Sequence, residues 1–245
     1  MTILPLKTAN WSEFPTEMQL FVDFIDDGPR PFILICPGGG YDHLAFEKEG
    51  KTIASWLKKL GYHVGVLAYP VQKIQANTFM QGLESVMIEL RNHPATSQIF
   101  VMGFSAGGHT AGLIGTKVVT KPDGLLLCYP VVTFCPPYSH EGSVKNFLGK
   151  NANEGTRHDF SIEQNVSFDT PPCFIWHTMA DQSVPVENSL LFAHALHQKN
   201  ISCELHLFPE GRHGLALLNE VPHTLQWQRL AENWLEEMTK RGNEK

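Results

Sequence analysis

Residues 98–116, QIFVMGFSAGGHTAGLIGT, decide the reading of this chain. The first six, 98–103, form a short continuous apolar run of the kind a strand shows when both its faces are covered. Residues 106–116 are small, apolar and able to form a helix. Between the two stands Gly103-Phe-Ser-Ala-Gly107, the pattern G-x-S-x-G. A serine at such a strand–turn–helix junction occupies a strained turn that lifts its hydroxyl above the edge of the sheet. Glycines without a Cβ let strand and helix approach closely around the turn. The helix start then aims its amides and the positive end of its dipole at the hydroxyl. Ser105 is therefore the candidate nucleophile.

Outward from this junction the same alternation repeats. Apolar runs occur at 18–25, 31–36 (PFILIC), 63–69 (HVGVLAY), 124–129 (GLLLCY), 173–178 (CFIWHT) and 202–208 (SCELHLF). Helical patterns lie between them. Ile53, Trp56, Leu57 and Leu60 share one face, with Gly61 placed to end that helix, and residues 82–92 and 187–199 form two more. A stripe of Trp227, Leu230, Ala231, Trp234, Leu235 and Met238 predicts a last helix. Strand and helix in alternation imply an α/β fold with a mostly parallel sheet and helices on both faces. Ligands of such sheets bind at the carboxyl ends of the strands. At 245 residues one domain, 1–245, is expected, with no repeat or linker. Residues 133–170, between two strands, form a small cap or insertion too short for a large helical lid.

Serine needs a base, and the base needs an acid to orient it. His213 follows the last apolar run in FPEGRHG at 208–214, on the carboxyl edge of the sheet. The other histidines read as structural. His206 and His177 lie inside strands, and His109 lies one turn into the helix after Ser105. His194 and His197 share a solvated helix face and lack a third metal ligand, so no metal is expected. Asp181 follows the 173–178 strand and is the candidate acid. Asp159 and Asp169 precede that strand, and Glu210 sits too near His213 along one loop. The order Ser105, Asp181, His213 places each residue just after a strand. For the oxyanion, the amide of Ala106 and those of Gly39 and Gly40, in the glycine run after the 31–36 strand, are the candidate donors. That run lacks the spacing of a phosphate-cradling loop. Tyr41, Tyr138 and His140 are placed to flank a substrate.

Composition narrows the classes. Lys and Arg number 19 against 25 Asp and Glu, a net charge of −6, so nucleic acid is not an expected partner. No apolar run reaches membrane-spanning length and the start lacks signal-peptide character. Five cysteines without a C-x-x-C pair suit a reducing compartment, and a cytoplasmic address is expected. Association into a homo-oligomer is left open.

The segments CPGGGY (36–41), GFSAGG (103–108), TPPCFIWHTMAD (170–181), VPVEN (184–188) and FPEGRHG (208–214) resemble those of small bacterial α/β-hydrolase serine esterases, in particular the acetylxylan esterase-like, xylanase-associated group of carbohydrate esterases. The resemblance runs from about residue 30 to the C-terminus. It implies the α/β-hydrolase fold, a cofactor-free carboxylesterase acting on short, acetyl-type esters of sugars or other small alcohols, a triad of Ser105, Asp181 and His213, and oxyanion donors at Gly39, Gly40 and Ala106. An arylformamidase or small peptidase on the same scaffold, or a non-catalytic binding protein, is the alternative. Two departures stand out. Related esterases often begin the glycine run with histidine, where this chain has Pro37, so the loop must be oriented by something else. Arg212 sets a cation beside the candidate base, and a close cation lowers the pKa of an imidazole.

Overall fold

The computed structural model describes residues 2–6, 12–72 and 74–243. Eight strands form one sheet: β1 (Thr2–Pro5), β2 (Gln19–Asp23), β3 (Arg30–Cys36), β4 (His63–Ala68), β5 (Thr96–Phe104), β6 (Gly124–Cys128), β7 (Cys173–Thr178) and β8 (Cys203–Phe208). Their spatial order is β1-β2-β4-β3-β5-β6-β7-β8. All neighbours are parallel except β2 and β4, which run antiparallel. The central strands are predominantly apolar because both faces are covered: every residue of β4, β6 and β7 is buried. The mostly parallel sheet expected from the alternation is found, and with it the α/β-hydrolase fold that the resemblance implies.

Seven helices connect and cover the strands: α1 (Thr52–Lys59), α2 (Ala76–Asn92), α3 (Ala106–Thr116), α4 (Glu141–Leu148), α5 (Glu154–Asp159), α6 (Glu187–Gln198) and α7 (Trp227–Asn243). Helix α1 turns Ile53, Ala54 and Leu57 inward. Helix α7 buries Trp227, Ala231, Trp234 and Leu235, and Trp227 stacks on Trp176 of β7 with ring centroids 4.8 Å apart. Helix α3 is buried along its whole length, which explains its run of small residues.

Three elements differ from the sequence expectation. Strand β1 leaves no readable signal: its four residues TILP carry too short a pattern. Helix α2 starts at Ala76, six residues before Gly82. That glycine lies inside the helix because the Met18 sulfur would be 2.9 Å from a Cβ there. The 133–170 segment holds two helices, α4 and α5, and a 3₁₀ turn, Ile162–Asn165. Its helices are short and capped by side chains: His140 caps α4, and a reciprocal Asn153–Thr156 capping box starts α5. Arg157 pins them together by donating to both Glu141 oxygens and to the Phe134 carbonyl, each at 2.8 Å. The guanidinium holds the Glu141 carboxyl down at about 2.

Candidate active site

Strand β5 ends at Phe104 and α3 begins at Ala106, so Ser105 alone makes the corner. It does so at φ 53°, ψ −120°, a conformation costing on the order of 1–3 kcal/mol for a residue with a Cβ. Surrounding bonds hold it there. The Ser105 N–H donates to the Cys128 carbonyl at 3.0 Å, and the Ser105 carbonyl accepts from Gly108 at 2.9 Å and Val131 at 3.0 Å. The corner closes only because Gly107 has no side chain: a Cβ there would lie 2.0 Å from the Cys36 carbonyl oxygen.

The Ser105 hydroxyl faces His213 Nε2 at 2.8 Å. His213 Nδ1 faces Asp181 Oδ2 at 2.6 Å. A carboxylate can only accept, so Nδ1 carries the proton and the Nε2 lone pair is directed at the hydroxyl. Asp181 in turn accepts the N–H groups of Ser183 at 2.8 Å and Val184 at 3.0 Å through Oδ1. His177 Nε2 lies 3.2 Å from Oδ2 and 3.1 Å from the Val184 carbonyl. Both of those are acceptors, so this nitrogen also bears its proton. Burial raises the Asp181 carboxyl, but the His177 and His213 bonds, the His213 charge and the Val184 amide outweigh it and hold the group well below the carboxylate range. Such a chain passes a proton from hydroxyl to imidazole and stabilises the imidazolium that results. The competing carboxylates are engaged elsewhere: Asp159 with Lys117 at 2.6 Å and Asp169 with Lys121 at 3.8 Å.

The loop after β3 runs beside this chain. Gly39 and Gly40 take φ of 128° and 64°. The Gly39 carbonyl is turned away to accept from Asp42 and His43 at 3.0 and 3.2 Å, and the Gly38 carbonyl accepts from Ala45 at 2.9 Å. Among the described residues no protein acceptor takes the amides of Gly39, Gly40 or Ala106. The loop touches Ser105: a Cβ on Gly38 would stand 2.9 Å from Ser105 Cβ. The cap reaches the same loop through Asn146, whose side chain donates to the Gly40 carbonyl at 2.9 Å.

The expectation that Tyr41 flanks a substrate is corrected. Its side chain is fully buried, and its hydroxyl lies 2.7 Å from His109 Nδ1 and 2.8 Å from Thr110 Oγ1. The ring packs among Tyr69, Phe79 and Phe147, where an aromatic body with one satisfied polar tip is well accommodated. Tyr138 is at the surface, 36% exposed. His140 is half-buried. Its Nδ1 accepts the Ser143 N–H at 3.2 Å, and its Cε1 would be 3.8 Å from a Cβ on Gly40, so it stands beside the glycine loop. Burial and the nearby His213 lower its pKa. Arg212 is bound to Glu220 by 2.8 and 2.5 Å contacts in solvent, so its charge is already matched. A cavity of about 670 Å³ between Phe14, Met18, Gln72, Gln75 and Phe79 contains none of the three triad candidates. Among the described residues no group of three His, Cys, Asp or Glu is placed to hold a metal, and no helix is long and apolar enough to cross a membrane.

Sequence reading misses three residues. His177 reads as a hydrogen-bonded strand residue, which it is, but it is also a second donor to Asp181. Asn146 carries no signal. Glu49, in the charged run Glu47-Lys-Glu49, carries no signal either. The π-helical turn Phe46–Lys51 leaves Glu47 68% exposed and turns Glu49 inward, its side chain 4% exposed.

The prolyl oligopeptidase family model matches residues 75–242. Two curated relatives are endo-1,4-beta-xylanase B of Butyrivibrio fibrisolvens, 35% identical over 80% of this chain and 34% of its own length, and the acetylxylan esterase of Xylanibacter ruminicola, 30% identical over 87% of this chain and 47% of its own. The chain thus spans between a third and a half of the length of these relatives. The crystal structure of an acetyl ester-xyloside bifunctional hydrolase from Caldicellulosiruptor lactoaceticus superposes with a TM-score of 0.86 at 35% identity, covering 96% of this chain and 95% of that one. With its G-x-S-x-G corner and sheet order, the chain belongs to the prolyl oligopeptidase family of α/β hydrolases.

Proposed function

We propose that this protein is a serine esterase that removes short acyl groups, acetyl foremost, from sugars or other small alcohols. The observation that carries the reading is the continuous hydrogen-bonded chain from Ser105 through His213 to Asp181, set at a strained corner beside amides that have no acceptor among the described residues. Ser105 Oγ attacks the ester carbonyl carbon as His213 Nε2 takes its proton. The carbonyl oxygen, now an anion, is met by the amides of Ala106, Gly39 and Gly40, each such donor being worth about 2.7–4 kcal/mol in the transition state. The imidazolium then protonates the departing alcohol, leaving an acyl-Ser105. Water, deprotonated by His213, attacks the acyl carbon, and the serine recovers its proton as the acid leaves. Asp181 stays ionised throughout because its hydrogen bonds favour the charged form.

The sugar-ester part of the reading is supported by the names of the relatives, an acetylxylan esterase and an acetyl ester-xyloside hydrolase. His140 beside Gly40 and Tyr138 at the cap surface are the proposed contacts for the alcohol side, and the cytoplasm is the proposed location. The family name keeps peptide amides as the second substrate class. The test is hydrolysis of 4-nitrophenyl acetate, butyrate and octanoate by the wild type and Ser105→Ala. Activity that falls with acyl length and drops by about 10⁶ in kcat in the variant is expected. Turnover that does not depend on Ser105 would reject the mechanism. Ser105-dependent turnover greater on octanoate than on acetate would reject the short-acyl assignment.

A further inference from the structure

Pro37 stands where many esterase glycine loops carry a histidine, and the structure contains a group that takes over its task. The Glu49 carboxylate is buried behind the glycine loop, its side chain 4% exposed. Oε2 accepts the Gly38 N–H at 2.8 Å, and Oε1 accepts the Tyr129 hydroxyl at 2.9 Å. The Tyr129 oxygen, having given its proton to Glu49, accepts the N–H of Ala216 at 3.2 Å. Its ring lies edge-on to the His213 imidazole, with centroids 5.0 Å apart. On the other side, the Lys48 ammonium is 4.0 Å from Oε1 and donates to the Gly214 carbonyl at 2.8 Å. Burial, with the Glu49 charge next, raises the Tyr129 phenol well above its usual value, so it remains a donor.

We propose that Glu49 is a positioning residue: one carboxylate that fixes the glycine loop through Gly38 and the base loop through Tyr129 and Lys48, and so keeps the oxyanion donors and His213 in register. The burial of an acid here is otherwise costly, since a carboxylate removed from water must recover its hydrogen bonds from the protein. Those bonds come from the Gly38 amide in the glycine loop and from the Tyr129 hydroxyl, which in turn accepts the Ala216 N–H in the base loop. Backbone strain adds to the need for such an anchor: Tyr41, Tyr129 and Ala216, none of them glycine, all hold positive φ. The Tyr69 hydroxyl completes the clamp by donating to the Pro37 carbonyl.

This inference rests on the esterase reading for its kinetic consequence but not for its structural one, so two measurements are paired. In Glu49→Ala, kcat for 4-nitrophenyl acetate is expected to fall about 100-fold, near the loss of one oxyanion donor, with KM changed less than about threefold, because the substrate is still bound while the transition-state donors are displaced. Tyr129→Phe deletes one hydroxyl at constant ring volume and is expected to lose about tenfold in kcat. Glu49→Gln, which keeps an acceptor for Gly38, should recover most of the activity lost in the alanine variant. In the same proteins, amide hydrogen exchange followed by NMR should show the Gly38 and Ala216 amides at least about tenfold less protected in Glu49→Ala. A folded Glu49→Ala or Tyr129→Phe protein with wild-type kcat, or a loss confined to KM, overturns the proposal while leaving the esterase reading intact. If the wild type shows no Ser105-dependent turnover, exchange decides: unchanged protection at Gly38 and Ala216 overturns it. Should Glu49→Ala fail to fold, Tyr129→Phe decides in its place: wild-type kcat together with unchanged protection at Ala216 overturns the proposal.

Discussion

Acidification to about pH 5 should weaken this fold through a single imidazole one helical turn from Ser105. His109 lies on α3, four residues after Ser105, and is fully buried. Its Nε2 lies 2.7 Å from the Phe160 carbonyl, which can only accept, so that nitrogen bears the proton. Nδ1 is then the acceptor of the Tyr41 hydroxyl, and the ring stacks on Phe134 at 4.2 Å. Burial pushes its pKa from 6.5 to about 4, against a smaller opposing effect of the Phe160 bond. A depressed folded-state pKa means that the unfolded chain binds the proton more readily between these two values. The stabilisation is therefore complete above about pH 6.5 and is lost as pH falls towards 4. At pH 5 the linkage from this one group is roughly 2 kcal/mol, and for a chain of this size that is ~4–8 °C in melting temperature. The assay is denaturant unfolding of the wild type and His109→Gln at pH 7 and pH 5. The variant is less stable at pH 7, having lost the ring stack, but its stability should decline with pH less steeply than that of the wild type, by about 2 kcal/mol over this interval. Other titrating groups cancel in the difference. Equal declines in the two proteins would refute the assignment of a neutral buried His109.

Three further outcomes follow from the site. Asp181→Asn should reduce kcat by about 10⁴, because the His213 tautomer loses its anchor; a loss under about tenfold would move the acid role elsewhere. Gly107→Ala should lower the melting temperature by about 10 °C or abolish soluble expression, since its Cβ meets the Cys36 and Pro37 carbonyl oxygens at 2.0 and 2.4 Å and backbone cannot rotate away; a wild-type melt would show that the corner can open. Arg212→Ala should leave kcat/KM at pH 7 within about threefold, because an exposed guanidinium already paired with Glu220 contributes little; a tenfold loss would show that its charge acts on the site.

The parts of this protein that sequence makes legible are those where a residue's role follows from its neighbours in the chain. Strands β3 to β7 are buried on both faces over most of their length, so apolar residues dominate their runs. The Ser105 corner needs small residues at fixed offsets, so it leaves a motif. The short β1 and the cap helices α4 and α5 leave no such pattern. Strand β1 is held by pairing with β2, and the helices by side-chain caps and the Arg157–Glu141 pair, whose partners are sixteen residues apart. Tyr41 misleads for a related reason. It follows the glycine loop directly and so looks like a substrate contact, yet its side chain is directed inward to His109 and Thr110, 68 and 69 residues away.

The departure at Pro37 shows the same limit from the functional side. A glycine loop that begins with histidine carries its own anchor in the motif, and a reader of the sequence sees the anchor with the loop. Here the anchor is eleven residues later, inside a charged run, and only the π-helical turn at Phe46–Lys51 brings Glu49 against Gly38. Two ways of orienting a glycine loop thus differ in how visible they are. A loss of the familiar histidine is weak evidence against catalysis in a chain of this fold unless the buried acceptors around the loop have been counted.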